Sequence, residues 1–249
     1  MQPIGGRVCS ICAERVLSSY AEPDSDNLIR CPVCRRIAHP FTRAVAYGSY
    51  EGGLRELIHL LKYSGVRPAA GVLGRMIASC LTQLESEFED EEILIVPVPV
   101  YKGKRRQRGF NQAETIAREA MRFYPEQARF ALANGVLLRV RDTQSQIGLT
   151  SHQRRENMRG AFAVSDGPAI AGRSIVVVDD VYTTGTTLSE CARFLQKAGA
   201  TRVWAATVAR TLKHASKYED SSIPTVHSFK KDAESLDEQE LEDLETVKL

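Results

Sequence analysis

A chain of 249 residues has the length for one full domain with appendages, since single domains usually run about 100 to 200 residues. Its 43% hydrophobic and 26% charged residues match soluble globular proteins and exclude a fibrous repeat or whole-chain disorder; no apolar run approaches the roughly 18 residues that cross a bilayer, and Met1 to Gly6 lacks a signal peptide's apolar core, so a cytoplasmic protein with no membrane span is expected. The net charge of +2 conceals an acidic end: residues 211–249 hold 5 basic and 10 acidic residues, and the 28 basic against 21 acidic of residues 1–210 leave a body of +7 that favours a polyanionic ligand or partner.

Cys9-Ser10-Ile11-Cys12 and Cys31-Pro32-Val33-Cys34 form two C-x2-C pairs around an eighteen-residue gap. That spacing suits a structural Zn²⁺ site of four thiolates, each pair aiming two sulfurs at one ion and the full shell leaving no open position. A dithiol redox pair or disulfides are the alternative, which a cytosolic chain disfavours. His39 stands nearby as a bystander, because Cys9, Cys12, Cys31 and Cys34 already fill the shell. Residues 1–40 are therefore set apart as a small zinc-binding module.

After Pro40, strand and helix patterns alternate. Arg43 to Tyr47 predicts a short strand. Leu54, Leu57, Ile58 and Leu61 recur at helical spacing, Gly65 ends that helix, and Pro68 opens another that buries Val72, Leu73, Met76, Ile77, Cys80, Leu81 and Leu84. An acidic loop over Glu85 to Glu92 leads to Ile93-Leu94-Ile95-Val96, whose unbroken apolar character fits a strand covered on both faces and ended by Pro97 and Pro99. A second cycle has a helix around Ala113, Ile116, Ala117, Ala120 and Met121 and a strand over Val136 to Val140. A third has a strand over Ile175 to Val178, a helix through Leu188, Cys191, Ala192 and Leu195, a stop at Gly199, and a strand over Arg202 to Val208. Repeated units of this kind predict an α/β fold over residues 41–212 with a doubly wound parallel sheet. Cys80 and Cys191 read as small core residues. The acidic tail, residues 213–249, shows no apolar stripe from Lys230 onward and is expected to be flexible, frayed or weakly helical.

The segment Val176-Val177-Val178-Asp179-Asp180-Val181-Tyr182-Thr183-Thr184-Gly185-Thr186-Thr187 delivers two carboxylates and a hydroxyl-rich turn at a strand's carboxyl end, where open α/β sheets bind ligands. Asp179 and Asp180 suit vicinal ribose hydroxyls. The N–H groups and hydroxyls of Thr183, Thr184, Thr186 and Thr187 suit a phosphate at the next helix's positive end, with Gly185 permitting close backbone approach. A solvated helix-capping turn explains one Asp and one Thr. It does not explain two acids, four threonines and a glycine in nine residues. No G-x4-G-K-[ST] is present, which disfavours a nucleoside triphosphatase. The pattern resembles the signature of type I phosphoribosyltransferases, whose ribose-binding acidic pair falls on Asp179 and Asp180 and whose 5′-phosphate loop falls on Thr183 to Thr187.

Further pieces narrow the resemblance. Leu61-Lys62-Tyr63, Val98-Pro99, Arg105, Arg106, Arg108-Gly109-Phe110-Asn111-Gln112, Gln146-Ile147-Gly148-Leu149, Arg154, Arg155, Asn157, Gly160, Ala161 and Phe162, together with the four-cysteine start and the acidic pair, resemble the ComF family of late-competence proteins over about residues 7–212. The resemblance implies a type I phosphoribosyltransferase sheet that binds phosphoribosyl pyrophosphate (PRPP), with Mg²⁺ bridging pyrophosphate and ribose oxygens. The turn after Pro99 would then face the pyrophosphate. Lys102, Lys104, Arg105, Arg106 and Arg108 supply charge there, and the same five cations suit a nucleic-acid backbone. Asp142 to Gly160 takes the place of the loop that closes over substrate, making Arg154 a catalytic candidate with Arg155 and Asn157 beside it; a solvated helical face is the other reading. Lys62 either reaches the site or snorkels at a helix end.

The acceptor is not named by any motif. Gln2 stands where a glutamine-hydrolysing domain would begin with cysteine, and the chain has no length for one, so glutamine-dependent amination is not expected. Three functions remain open: a phosphoribosyltransferase linked to DNA uptake, a single-stranded-DNA-binding competence factor working with other competence proteins, and a ligand sensor without turnover. Against DNA, Tyr101 and Phe110 are the only aromatics flanking the cationic run.

Overall fold

Segments that are apolar on both faces are stable only as strands covered on both sides, and the architecture follows from this. The computed structural model describes residues 3–16, 23, 27–89, 92–124, 129–143 and 150–212. In chain order its elements are β1 (Ala44–Ser49), α1 (Gly52–Ser64), α2 (Pro68–Leu84), β2 (Ile93–Pro97), α3 (Lys102–Arg108), α4 (Gln112–Phe123), β3 (Phe130–Leu132), β4 (Leu137–Arg139), α5 (Ser151–Met158), β5 (Phe162–Val164), β6 (Ser174–Tyr182), α6 (Thr186–Lys197) and β7 (Arg202–Arg210). A five-stranded sheet runs in the order β1-β7-β6-β2-β3 with every pairing parallel. The carboxyl ends of its strands therefore share one edge, at Ser49, Arg210, Tyr182 and Pro97.

The sheet is wound on both faces. Val176 and Val178 of β6 point to one face, where they join Leu61 of α1, Ile77 of α2 and Ile116 of α4 in a continuous core. Ile175 and Val177 point to the other, against Leu188 and Leu195 of α6, Phe162 of β5 and the four N-terminal cysteines. This period-two alternation is what sends two consecutive residues of one strand into different surroundings. Cys80 and Cys191 are fully buried, one on each side. Gly74 sets the approach of α2 to α4, for a Cβ there would lie 2.5 Å from Glu119 Cβ and 2.9 Å from the Ala120 amide nitrogen.

Three sequence expectations need correction, the first being Val72 of α2, expected in the core but 41% exposed. The apolar run at Val136 to Val140 is not a strand of the parallel sheet: Leu137–Arg139 pairs antiparallel with Phe162–Val164 in a separate two-stranded ribbon. Leu138 and Val140 face outward, at 43% and 55% exposure, so the run is apolar without being interior. The parallel edge strand is instead the three-residue β3, too short to carry a periodic signal. The acidic loop also begins with a single 3-10 turn at Glu85–Glu87. Gln146 to Leu149, most of the early loop-closing segment, and the tail from residue 213 lie outside the described residues.

Candidate functional site

Asp179 and Asp180 lie just before the end of β6, and alternation turns them to opposite faces. Asp180, buried, meets the Lys62 ammonium from the last turn of α1 at 2.8 Å. Lys62 thus reaches the site rather than solvent. Burial opposes its charge, but Asp180 and then Asp179 outweigh that and hold its pKa above the ordinary lysine value. Asp179 accepts a hydrogen bond from the Asp180 amide at 2.9 Å and feels the Arg139 guanidinium of β4. Burial, reinforced by the Asp180 charge and only partly offset by Lys62 and Arg139, pushes the Asp179 carboxyl up to about 7. Arg139 is itself driven below its usual value by burial and bonds Thr143.

The turn after β6 is built around a glycine. Thr183 and Thr184 are exposed, Thr186 and Thr187 are half-buried, and the Thr184 and Thr186 hydroxyls lie 2.8 Å apart. Gly185 caps α6 in the left-handed region at φ 76° and offers no side-chain acceptor to the helix. No side chain caps α6, and the turn sits at the end of a twelve-residue helix where its dipole is positive and favours an anion. A Cβ on Gly185 would fall 2.2 Å from the hydroxyl of buried Tyr182, so the residue is fixed by space as well as by conformation.

The cationic run forms α3, closed by Gly109 at φ 79°. Asn111 locks the turn behind it, capping α4 through Ala113 N at 3.2 Å and donating to the Val98 carbonyl at 3.1 Å. The side chains of α3 diverge. Lys102 is exposed, Arg105 pairs with Glu114 of α4 at 3.4 Å, and Arg108 turns back over the Tyr63 ring at 5.3 Å, beside Lys62 in sequence. Arg154 lies half-buried on α5, its amide closing the first turn onto the Thr150 carbonyl. Arg141 donates to the carbonyls of Asn157 at 2.8 Å and Arg159 at 2.7 Å, and Met158 is fully buried, so this part of the segment expected to be a mobile loop is an anchored helix packed on α6.

Cys9, Cys12, Cys31 and Cys34 come together, all buried and unbridged, with their sulfurs within 4.8 Å of one another. Cys12 Sγ and Cys31 Sγ are 3.7 Å apart. An ion about 2.3 Å from each sulfur of a tetrahedron requires an edge of about 3.8 Å, so the cluster fits a four-thiolate metal centre. Two side chains contact it from outside: Arg210 at the end of β7 donates to Cys12 Sγ at 3.5 Å, and His39 Nε2 lies 3.4 Å from Cys34 Sγ.

The sequence reading singled out neither Arg139 nor Arg210 and gave Tyr63, Asn111 and Tyr182 no role beyond the motifs that contain them. Asn111 carried a detectable signal, as a helix-capping residue two before Ala113. The arginines carried none, since the groups they act on at the site, Asp179 for Arg139 and Cys12 for Arg210, are distant in sequence.

A family model described as the phosphoribosyl transferase domain matches residues 73–240. The DNA utilization protein YhgH of Escherichia coli K12 is 29% identical over 82% of this chain and 91% of that protein. Competence protein F of Haemophilus influenzae is 28% identical over 78% and 81%, and competence protein ComFC of Bacillus subtilis 24% over 85% and 81%. Among solved structures, the glutamine phosphoribosylpyrophosphate amidotransferase of B. subtilis superposes with a TM-score of 0.35 at 22% identity, covering 57% of this chain and 26% of that one. Among the described residues no helix is long and apolar enough to cross a membrane.

Proposed function

The chain belongs to the phosphoribosyl transferase domain family, in its ComF group of competence proteins, and from that premise we propose that the crevice at the carboxyl end of β6 binds PRPP together with Mg²⁺. The observation that carries this reading is the hydroxyl-flanked, positively poled start of α6 one short turn after two carboxylates, one of them held by Lys62. In this assignment Thr183, Thr184, Gly185, Thr186 and Thr187 take the 5′-phosphate, and Asp179 and Asp180 orient the vicinal ribose hydroxyls through charge-assisted hydrogen bonds. Lys102, Arg105 and Arg108 stand toward the pyrophosphate, and Arg154 closes from α5. Mg²⁺ arriving with PRPP would supply charge neutralisation for the leaving group.

The chain's own residues then contribute positioning and electrostatics, without a covalent nucleophile. The C1′–O bond to pyrophosphate breaks, the acceptor bonds to C1′, and the two carboxylates face the positive charge that develops on the sugar. The four cysteines hold Zn²⁺ structurally, and the protein works in the cytoplasm. Pyrophosphate release from PRPP with a panel of nucleobases and amines tests turnover: release with one acceptor class supports a pentosyltransferase, and PRPP binding without release under any acceptor supports a sensor.

A second reading, binding of single-stranded DNA alongside other competence proteins, is favoured by one observation. Tyr63 is 66% exposed, with Arg108 over its face and the His59 ring 5.3 Å away, which puts stacking surface beside the cationic helix. Neutralising Lys104, Arg105 and Arg106 should then weaken oligonucleotide binding and flatten its log-log salt dependence by roughly 0.7 per lost phosphate contact. Absence of oligonucleotide binding by the parent protein at low salt would remove this reading.

A further inference from the structure

The cysteine cluster and the turn at Thr183 to Thr187 are joined by two limbs that meet at one tyrosine, one through buried Arg210 and one through half-buried His39. In the first, Cys12 Sγ accepts from Arg210 Nη2 at 3.5 Å, and the Arg210 guanidinium lies 4.0 Å over the Tyr182 ring. In the second, Cys34 Sγ touches His39 Nε2 at 3.4 Å, His39 stacks on Phe41 with ring centroids 4.9 Å apart, and Phe41 meets Tyr182 edge-on at 6.5 Å. The Tyr182 hydroxyl in turn fills the space directly beneath Gly185. Cys12, Tyr182 and Arg210 are all at most 7% exposed, so the first limb runs through the interior from cluster to turn. The Thr211 amide also donates to the Tyr182 carbonyl at 2.9 Å, fixing the end of β6 to the end of β7.

Charge gives the linkage a direction. Arg210 is held by Glu14 at 2.9 Å and by the Cys12 sulfur, while its Nε and Nη1 are buried without a hydrogen-bond partner. A divalent ion with four thiolates carries a net charge of about −2. The loaded centre is thus half of the negative surround that a buried guanidinium needs.

We propose that the cysteine centre is a working part of the sugar-phosphate site, with Arg210 and Tyr182 as positioning residues that set the Gly185 turn according to metal occupancy. The proposal rests on reading Thr183 to Thr187 as the phosphate loop. Linkage then requires reciprocity: if the loaded centre improves PRPP binding, PRPP tightens the metal by the same factor. A centre that serves only to hold the fold shows no such dependence on the hydroxyl beneath Gly185.

The test uses the full chain. Zinc affinity is measured by competition with a chromophoric chelator, with and without saturating PRPP and Mg²⁺, for the parent, Tyr182→Phe and Arg210→Lys, alongside calorimetry of PRPP on the zinc-loaded proteins. The parent is expected to hold zinc about tenfold more tightly with PRPP, within the usual range for coupled sites. Tyr182→Phe keeps the ring and the buried packing, so it should still bind both ligands while the coupling falls below about twofold; Arg210→Lys, which keeps the charge but not the planar contact, should do the same. Parent zinc affinity unchanged by PRPP overturns the proposal alone. Equal coupling in parent and variants also overturns it, since zinc loss would then be acting through general unfolding. A zinc-loaded parent that binds no PRPP in calorimetry removes the phosphate-loop reading and the proposal with it.

Discussion

Asp179 and Asp180 are neighbours in the chain and sit on opposite sides of β6, so they meet different surroundings although each feels the other's charge. Asp180 pairs with Lys62, whereas burial lifts Asp179 from 3.8 to about 7. For an acid raised in this way the folded state resists ionisation. The cost is absent below pH 3.8, grows as pH rises toward 7, and is fully present above it. Asp179→Asn should therefore raise Tm by several degrees at pH 8 and by clearly less at pH 5, and thermal unfolding at the two pH values would show it. A gain that is equal at both, or a loss at pH 8, would show that Asp179 is comfortably ionised in the native protein. A few residues on, Gly185→Ala has to hold a left-handed φ at a cost of about 1 kcal/mol and displace the Tyr182 hydroxyl. Calorimetry should find at least a tenfold loss of PRPP affinity in a protein that remains folded by circular dichroism.

Where α2 crosses α4, Gly74 lies against the Glu119 backbone and Cβ. Gly74→Val has no flexible neighbour to push aside, so overpacking should cost about 1–3 kcal/mol in denaturant unfolding. A neutral result would mean that the two helices separate freely. Elements of this kind were legible because their periodicity is long: α1, α2, α4 and α6 carry helical stripes, and β2, β6 and β7 are apolar on both faces. β3, with three residues, and the β4-β5 ribbon, with three each, fall below that length. The run at Val136 to Val140 shows the resulting ambiguity, since an apolar stretch does not say which strand it pairs with. The site divides along the same line. The cysteine knuckles and the segment from Asp179 to Thr187 are contiguous and could be read directly. Their electrostatic partners were legible only in part: Lys62 and Arg108 lie in motifs that flag them, whereas Arg210 reaches Cys12 across 198 residues and Arg139 acts on Asp179 from another element. Side-chain convergence of this kind exists only after the sheet has assembled.

For the molecule as a whole, one sheet edge gathers an acidic pair, an uncapped helix start and a divergent cationic helix, and a buried cysteine centre packs against the same sheet. One zinc per chain is expected by elemental analysis of protein purified without added metal, and a zinc content near zero with two disulfides would contradict that. Metal loss should weaken the N-terminal segment around Cys9 to Cys34 more than α2 or α4, which hydrogen exchange would resolve. The central claim is that the end of β6 is a PRPP site, and calorimetric titration of PRPP with and without Mg²⁺ into the parent and into Asp179→Asn/Asp180→Asn tests it most directly. The parent should bind, more tightly with Mg²⁺, and the folded double variant should lose most of that affinity; a folded variant that binds PRPP as the parent does would contradict the account.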